Sequence, residues 1–175
     1  LDTNTGEEVW RTDRSGEMND NPEMKKAYGT PLVTSVGGRE VLLSPGSDWL
    51  YGYDPENGKE LWKVNYGILG FSIVSRPVVA DEVVYFSTSF MKTELLAVQL
   101  GPKVNTTPEI LWRYRRSVPR MPSPVLVDDS VYLFGDKGIA TCLDRHTGES
   151  RWTGRLGGSF SSSPLFADGK IYVGN

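Results

Sequence analysis

The amino-acid sequence predicts an all-β chain, a β-propeller of four-stranded antiparallel blades with about four blade-equivalents present. Two markers recur along it at a shared period. Trp10, Trp62, Trp112 and Trp152 lie 52, 50 and 40 residues apart. A small or polar residue followed by Pro keeps pace, at Thr30-Pro31, Arg76-Pro77, Ser123-Pro124 and Ser163-Pro164, spaced 46, 47 and 40. No segment sustains the 3.6-residue apolar period of a helix. Units of four short strands at this period suit propeller blades better than a solenoid, a sandwich or a helical array.

Taken in order, residues 1–14 read as the outer two strands of one blade. Residues 29–66, 75–116 and 122–155 read as three full blades, and 161–175 as the inner two strands of another. The third full unit is the clearest. Pro124 to Val127 is its first strand, Ser130 to Gly135 its second, Ile139 to Leu143 its third and Glu149 to Thr153 its fourth. Asp128-Asp129 and Asp136-Lys137-Gly138 supply the turns. The link from Trp10 to Pro31 is long and polar, and its one helix candidate, Asn21 to Ala27, reads as a loop or a single turn. In the second unit Gly101 to Pro108 replaces the short Thr-Gly turn by a longer hairpin.

The recurring residues have local jobs. Gly6, Gly58 and Gly148 are expected to take the positive φ that the turn between third and fourth strands demands. Asp2, Asp54 and Asp144 can accept hydrogen bonds from backbone N–H groups two residues on, which fixes the turn. The tryptophans are too large for one thin blade and are expected to wedge between neighbours. Pro suits the head of the strand nearest the axis, where no N–H partner is needed.

Bulk properties narrow the function classes. With 38% hydrophobic residues and 11% aromatics the chain has the means to build a core. A net charge of -3 with interspersed signs is no nucleic-acid footprint. No run of 18 apolar residues exists, so no membrane-spanning helix is predicted. The chain opens inside one repeat and stops inside another, and is expected to be a piece of a longer protein, with any targeting signal outside this segment. The two terminal half-blades could close a four-bladed ring; an open arc is the expectation, because so tight a ring strains the packing.

The pattern Asp144-x-x-Thr147-Gly148-x-x-x-Trp152, followed by Ser163-Pro164-x-x-x-Asp168-Gly169-x-Ile171-Tyr172-Val173-Gly174, resembles the pyrroloquinoline-quinone (PQQ)-like propeller repeat. The resemblance covers the whole chain. It implies an eight-bladed propeller, as in quinoprotein alcohol dehydrogenases and in the lipoprotein propeller of the bacterial outer-membrane assembly machinery, and this chain is expected to be a fragment of such a seven- or eight-bladed propeller. The segments 118–124 and 138–144 are similar to secreted PQQ-binding-like propellers of environmental bacteria, which commonly lack an established activity. A bacterial protein exported to the periplasm or the exterior is therefore expected.

Two readings of function follow. One is part of a PQQ-dependent dehydrogenase, whose family lays the quinone on a Trp floor under a vicinal disulfide, with calcium held by Glu and Asn. Cys142 is the single cysteine, so that disulfide maps onto nothing here. The other, preferred reading is a non-catalytic binding or scaffolding propeller with no cofactor. Its docking rim lies just before each first strand, at Tyr28, Phe71, Arg76, Arg120, Met121 and Phe160. That mixed basic and aromatic rim suits a protein, peptide or carbohydrate-like partner. His146 reads as a surface turn residue and Cys142 as a buried structural thiol, and a single His leaves no catalytic triad to assemble. Asn105-Thr106-Thr107 matches a glycosylation triplet that would be idle in a bacterium.

Overall fold

The computed structural model describes residues 1–101 and 106–175; the tip of the Gly101–Pro108 hairpin and the first residue of the Asn105 triplet lie outside them. A 3-10 turn over Pro22–Lys25, capped by the Asn21 side chain, occupies the long first link. The first sheet is β1 (Leu32–Val36), β2 (Arg39–Pro45), β3 (Trp49–Tyr53) and β4 (Glu60–Asn65), in that order and antiparallel. After β5 (Gly70–Phe71) comes the second sheet. It consists of β6 (Val78–Ala80), β7 (Val83–Ser87), β9 (Leu95–Gln99) and β10 (Glu109–Tyr114), with β8 (Phe90–Met91) paired instead to β5. The third sheet is β11 (Val125–Val127), β12 (Ser130–Phe134), β13 (Ile139–Asp144) and β14 (Ser150–Arg155). A two-stranded pair, β15 (Leu165–Ala167) and β16 (Lys170–Tyr172), completes the chain.

Each sheet is a meander, so the chain alternates between two ends. At the link end lie the connections between sheets and the second-to-third strand loops. At the turn end lie the remaining hairpins. Residues 1–14 form the predicted turn but not the predicted strands: no described strand pairs with them, and Trp10 and Thr12 bond by their side chains to Pro55 O and Gly58 O instead. The pair β15–β16 likewise recruits no further strand among the described residues.

The core lies between sheets, not within them. In β7 and β9 successive side chains point to opposite faces. Val84, Phe86, Leu96 and Val98 pack with Leu43, Leu50 and Trp62 of the first sheet. Their neighbours Val83, Tyr85, Leu95 and Ala97 pack with Val131, Leu133 and Leu143 of the third. The second sheet is thus covered on both faces, which is why β7 reads as an unbroken buried run, Val83–Ser87. Near the axis β11 touches both β6 and β15, and a polar hand-over joins them. The backbone N–H of Arg76 donates to Ser123 Oγ at 2.9 Å, and that of Ser123 donates to Ser163 Oγ at 3.0 Å. The residue before each of these prolines therefore registers one sheet on the next.

The third-to-fourth strand turns are three copies of one structure. In each, the Asp carbonyl accepts from the Gly N–H four residues on, at 2.9 Å, and Gly6, Gly58 and Gly148 have φ of 74°, 73° and 73°. Each Asp carboxylate accepts from the N–H two residues on: Asn4, Glu56 and His146. All three aspartates are held below the ordinary carboxylate range. For Asp2 and Asp54 the backbone donors are the main cause. For Asp144 it is the Arg151 guanidinium, then the Thr147 and His146 N–H groups, and its pKa falls to about 2. A depressed folded pKa stabilises above the unfolded value, about 3.9 for Asp, and that contribution is lost as pH falls through the folded value. Acid unfolding followed by circular dichroism should therefore show stability declining from about pH 4 toward pH 2. Asp144→Asn should flatten that decline; an unchanged acid limb would remove this role.

The tryptophans dock onto these turns. Trp10 Nε1 donates to Pro55 O at 2.9 Å, and Trp112 Nε1 donates to Arg145 O at 3.1 Å. Both indoles pack against the turn glycine, so a Cβ at Gly58 would come 2.3 Å from Trp10 and one at Gly148 2.6 Å from Trp112. Across its own sheet each fourth-strand Trp faces a small residue: Gly52 opposite Trp62, Ala97 opposite Trp112, Cys142 opposite Trp152.

Candidate functional site

Every residue of the predicted rim falls at the link end, as the meander requires. Its centre is a platform built by β5 and β8. Gly70, with φ 113°, lets the two strands meet, since a Cβ there would stand 1.9 Å from Phe90 O. Phe71 packs edge-on against Phe90 with ring centroids 5.1 Å apart, and the Arg120 guanidinium lies over the Phe90 ring at 6.0 Å. Aromatic pairing and cation–π attraction each contribute about 1 kcal/mol here, and together they orient the three side chains. Tyr28 joins the same surface because its N–H donates to Ile73 O, beside the parallel bridge Ala27–Ile73.

Ser89 fastens the platform to its neighbours. Its hydroxyl accepts from the Val74 N–H at 3.0 Å and donates to Arg120 O at 2.7 Å. The base of the same loop is closed by Glu94. Its carboxylate takes Arg115 Nε at 2.7 Å and Arg113 Nη1 at 3.3 Å, while Glu94 N donates to Thr88 Oγ1 at 2.8 Å. Arg115 is largely exposed, so part of this attraction is screened. Replacing Glu94 by Ala should cost about 2 kcal/mol in a denaturant titration, the scale of leaving charged donors unmade. A cost within about 0.5 kcal/mol would show the ion pairs to be inert.

Tyr28, Arg76, Arg120 and Met121 are exposed and Phe71 is half-buried. Phe160 departs from the prediction. It is only 4% exposed and packs against Phe134 with centroids 6.2 Å apart, filling the space between the third sheet and the last strand pair. Position before a first strand does not separate a rim side chain from one that turns inward to an apolar neighbour. Arg76 is exposed, with its backbone N–H registered to Ser123. The residues missed were Phe90 and Met91, 50% and 55% exposed. One signal could have found them. The second-to-third strand loop is Thr88–Glu94 here but only Gly135–Gly138 in the third sheet, and the longer loop carries two large apolar residues.

Two clefts open at the same end. One, of about 510 Å³, is lined by Thr93, Ser117, Arg120, Asp136, Lys137 and neighbouring residues. The other, of about 390 Å³, is lined by Glu17, Asn19, Asp48 and Asn65 with Met18 and Ile68, and burial pushes the Asp48 carboxyl up. Neither Arg76 nor Arg120 forms an ion pair among the described residues, so Arg76→Ala should leave thermal stability within about 0.5 kcal/mol of the parent, and Arg120→Ala should cost no more than its cation–π contact with Phe90, about 1 kcal/mol. Differential scanning fluorimetry checks this; a larger loss would make the arginines structural.

The tryptophans among the described residues are engaged elsewhere than in a quinone floor. Trp10 and Trp112 are spent on turn docking, Trp62 packs in the core, Trp49 lies beneath the Lys63 ammonium, and Trp152 stands on the outer strand β14. None of them makes a floor at the axis. Among the described residues no group of three or more His, Cys, Asp or Glu could hold a metal ion. No described helix is long and apolar enough to cross a membrane.

Comparison with known proteins gives the relatives of this arrangement. A family model described as outer membrane protein assembly factor BamB matches residues 1–139 and 103–175. The outer membrane protein assembly factor BamB of Shewanella oneidensis MR-1 is 36% identical over 123 residues, covering 69% of this chain and 28% of that protein. The Yersinia pestis protein of the same name is 22% identical over 189 residues, covering 99% of this chain and 45% of that one. The chain thus spans less than half the length of either relative. Among solved structures, BamB from Moraxella catarrhalis superposes with a TM-score of 0.58 at 21% identity, over 77% of this chain and 39% of that one. A europium-containing methanol dehydrogenase superposes at 0.56 with 16% identity, over 75% of this chain and 25% of its own. Both likenesses are of fold.

Proposed function

The chain belongs to the outer membrane protein assembly factor BamB family of PQQ-like propellers, and from that membership we propose that it is a non-catalytic docking module. In this reading it serves outer-membrane protein assembly in a bacterium, from the periplasmic side, as part of an exported protein. Its role is to hold a protein partner at the link end. The observation that carries the reading is the platform of Phe71, Phe90 and Arg120. Two rings and a guanidinium are oriented by one another, with Phe90 and Arg120 open to solvent beside Tyr28 and Met121. Oriented aromatic and Arg side chains are the usual anchors of protein interfaces.

A cofactor-free role is part of the same proposal, supported by the commitment of the tryptophans to packing. The test is genetic and uses the whole protein. Deleting the gene in its host should lower the folded β-barrel proteins recovered from the outer membrane, and a plasmid copy should restore them. An unchanged outer-membrane profile, or stoichiometric uptake of PQQ by the intact protein, would overturn the reading.

A further inference from the structure

The link end and the turn end treat their arginines differently. At the turn end Arg39 is paired with Asp54, Arg145 with Asp81 and Asp129, and Arg151 with Asp144. At the link end Arg113 and Arg115 are taken up by Glu94. Arg120 and Lys137, both exposed and both lining the larger cleft, have no ion-pair partner among the described residues. Asp136 is the one acid lining the larger cleft, and its carboxylate already accepts the Arg120 backbone N–H at 3.3 Å. A chain of net charge -3 thus carries a local excess of positive charge around one concave opening.

Backbone strain collects at the same place. Most non-glycine residues with positive φ lie in ordinary two-residue hairpin turns, such as Asp81 and Asp128. Ser72 (56°), Met91 (88°) and Ser117 (50°) lie instead around the platform and the cleft. A bulky Met at φ 88° costs of order 1–3 kcal/mol, and such conformations persist where surrounding structure imposes them, often at binding sites. Here the strain presents Phe90 and Met91 outward next to the uncompensated cations.

We propose that this surface docks an acidic peptide segment carrying a large apolar side chain. The apolar residue lies on Phe90 and Met91, and its flanking carboxylates reach Arg120 and Lys137 across the cleft. A cleft of about 510 Å³ accommodates a few side chains of such a segment. The adjoining apolar platform distinguishes a peptide from an anionic glycan, which supplies charge without an apolar side chain. The concavity of the opening likewise argues against a flat lipid surface. The inference rests on the docking role proposed above and names the chemistry of the partner.

The experiment uses the full-length protein and a fluorescein-labelled peptide of alternating Glu and Ser around a single central Phe. Companion probes replace Glu by Lys, or Phe by Gly, and vesicles containing phosphatidylglycerol form a separate arm. Fluorescence anisotropy should show binding of the acidic Phe peptide that weakens as salt rises. Binding should weaken about tenfold or more on Arg120→Glu, Lys137→Glu or Phe90→Ser. Lys59→Glu, at the turn end, should leave it unchanged. Equal binding of the Lys peptide, indifference to all three substitutions, or binding to vesicles alone would overturn the proposal. Because peptide binding is read on the purified protein, its failure is separable from that of the assembly role. A normal outer-membrane profile in the deletion strain would overturn only the latter.

Discussion

Trp112→Ala is expected to lower the unfolding free energy by about 3 to 5 kcal/mol, the range for a large aromatic removed from a packed site. The indole of Trp112 is held by three neighbours at once. Tyr85 lies 5.8 Å away, ring centroid to centroid, Ala97 faces it across the sheet, and Arg145 O accepts its N–H at 3.1 Å. Trp152 offers the internal comparison. It faces Cys142 across its sheet and lies near Tyr132, but is 47% exposed and receives no turn from another sheet among the described residues. Trp152→Ala should therefore cost only about 1 kcal/mol, the share of its area that is buried. Guanidinium unfolding of both variants decides the matter, and equal losses would mean that turn docking adds nothing to packing within one sheet.

Gly148→Ala should destabilise by roughly 3 kcal/mol through two separable causes: a left-handed backbone, costing about 1 to 2 kcal/mol, and overpacking, costing about 1 to 3. Gly6 isolates the first of these. It has the same φ, 74° against 73°, but a Cβ there would meet nothing within 4 Å, whereas one at Gly148 would meet Trp112 at 2.6 Å. Gly6→Ala should thus cost only roughly 1 kcal/mol. The double variant Trp112→Ala with Gly148→Ala should cost less than the sum of the singles, since removing the indole removes the clash. Additive losses would show that the two residues do not meet.

These effects matter for the proposed docking surface because the platform has no core of its own. Phe90 stands on a loop whose base is Glu94 and Thr88, and that loop is located by the second sheet, gripped on both faces. Loosening either inter-sheet core would shift the Ser89 contacts that join Val74 to Arg120. A variant such as Trp112→Ala should therefore weaken binding at the link end indirectly, and Arg120→Glu directly, with stability separating the two.

The rim was legible in part. Tyr28, Arg120 and Met121 could be placed at one end from the meander alone, because strand count decides which end a link occupies. Phe160 could not be placed, because its exposure depends on whether Phe134, 26 residues earlier, offers it an apolar face. Phe90 and Met91 escaped because the strand they form pairs with Gly70-Phe71, outside the repeat pattern on which the prediction relied. The charge imbalance escaped for a related reason. A net charge sums over the chain and is silent about which arginines have found a carboxylate.

What the residues determine by themselves is what closes over short sequence distances. The Asp-to-Gly turns are set by hydrogen bonds two to four residues long, the strands by alternation and bounding turns, and the repeat by their recurrence. Trp10 and Trp112 could be assigned to inter-blade positions because a large planar side chain has no room within a single sheet. Tertiary structure alone decided which cations are neutralised, which aromatic faces solvent, and where strained backbone presents side chains. Those properties depend on pairs of groups far apart in the chain, brought within a few ångströms only when the sheets stack.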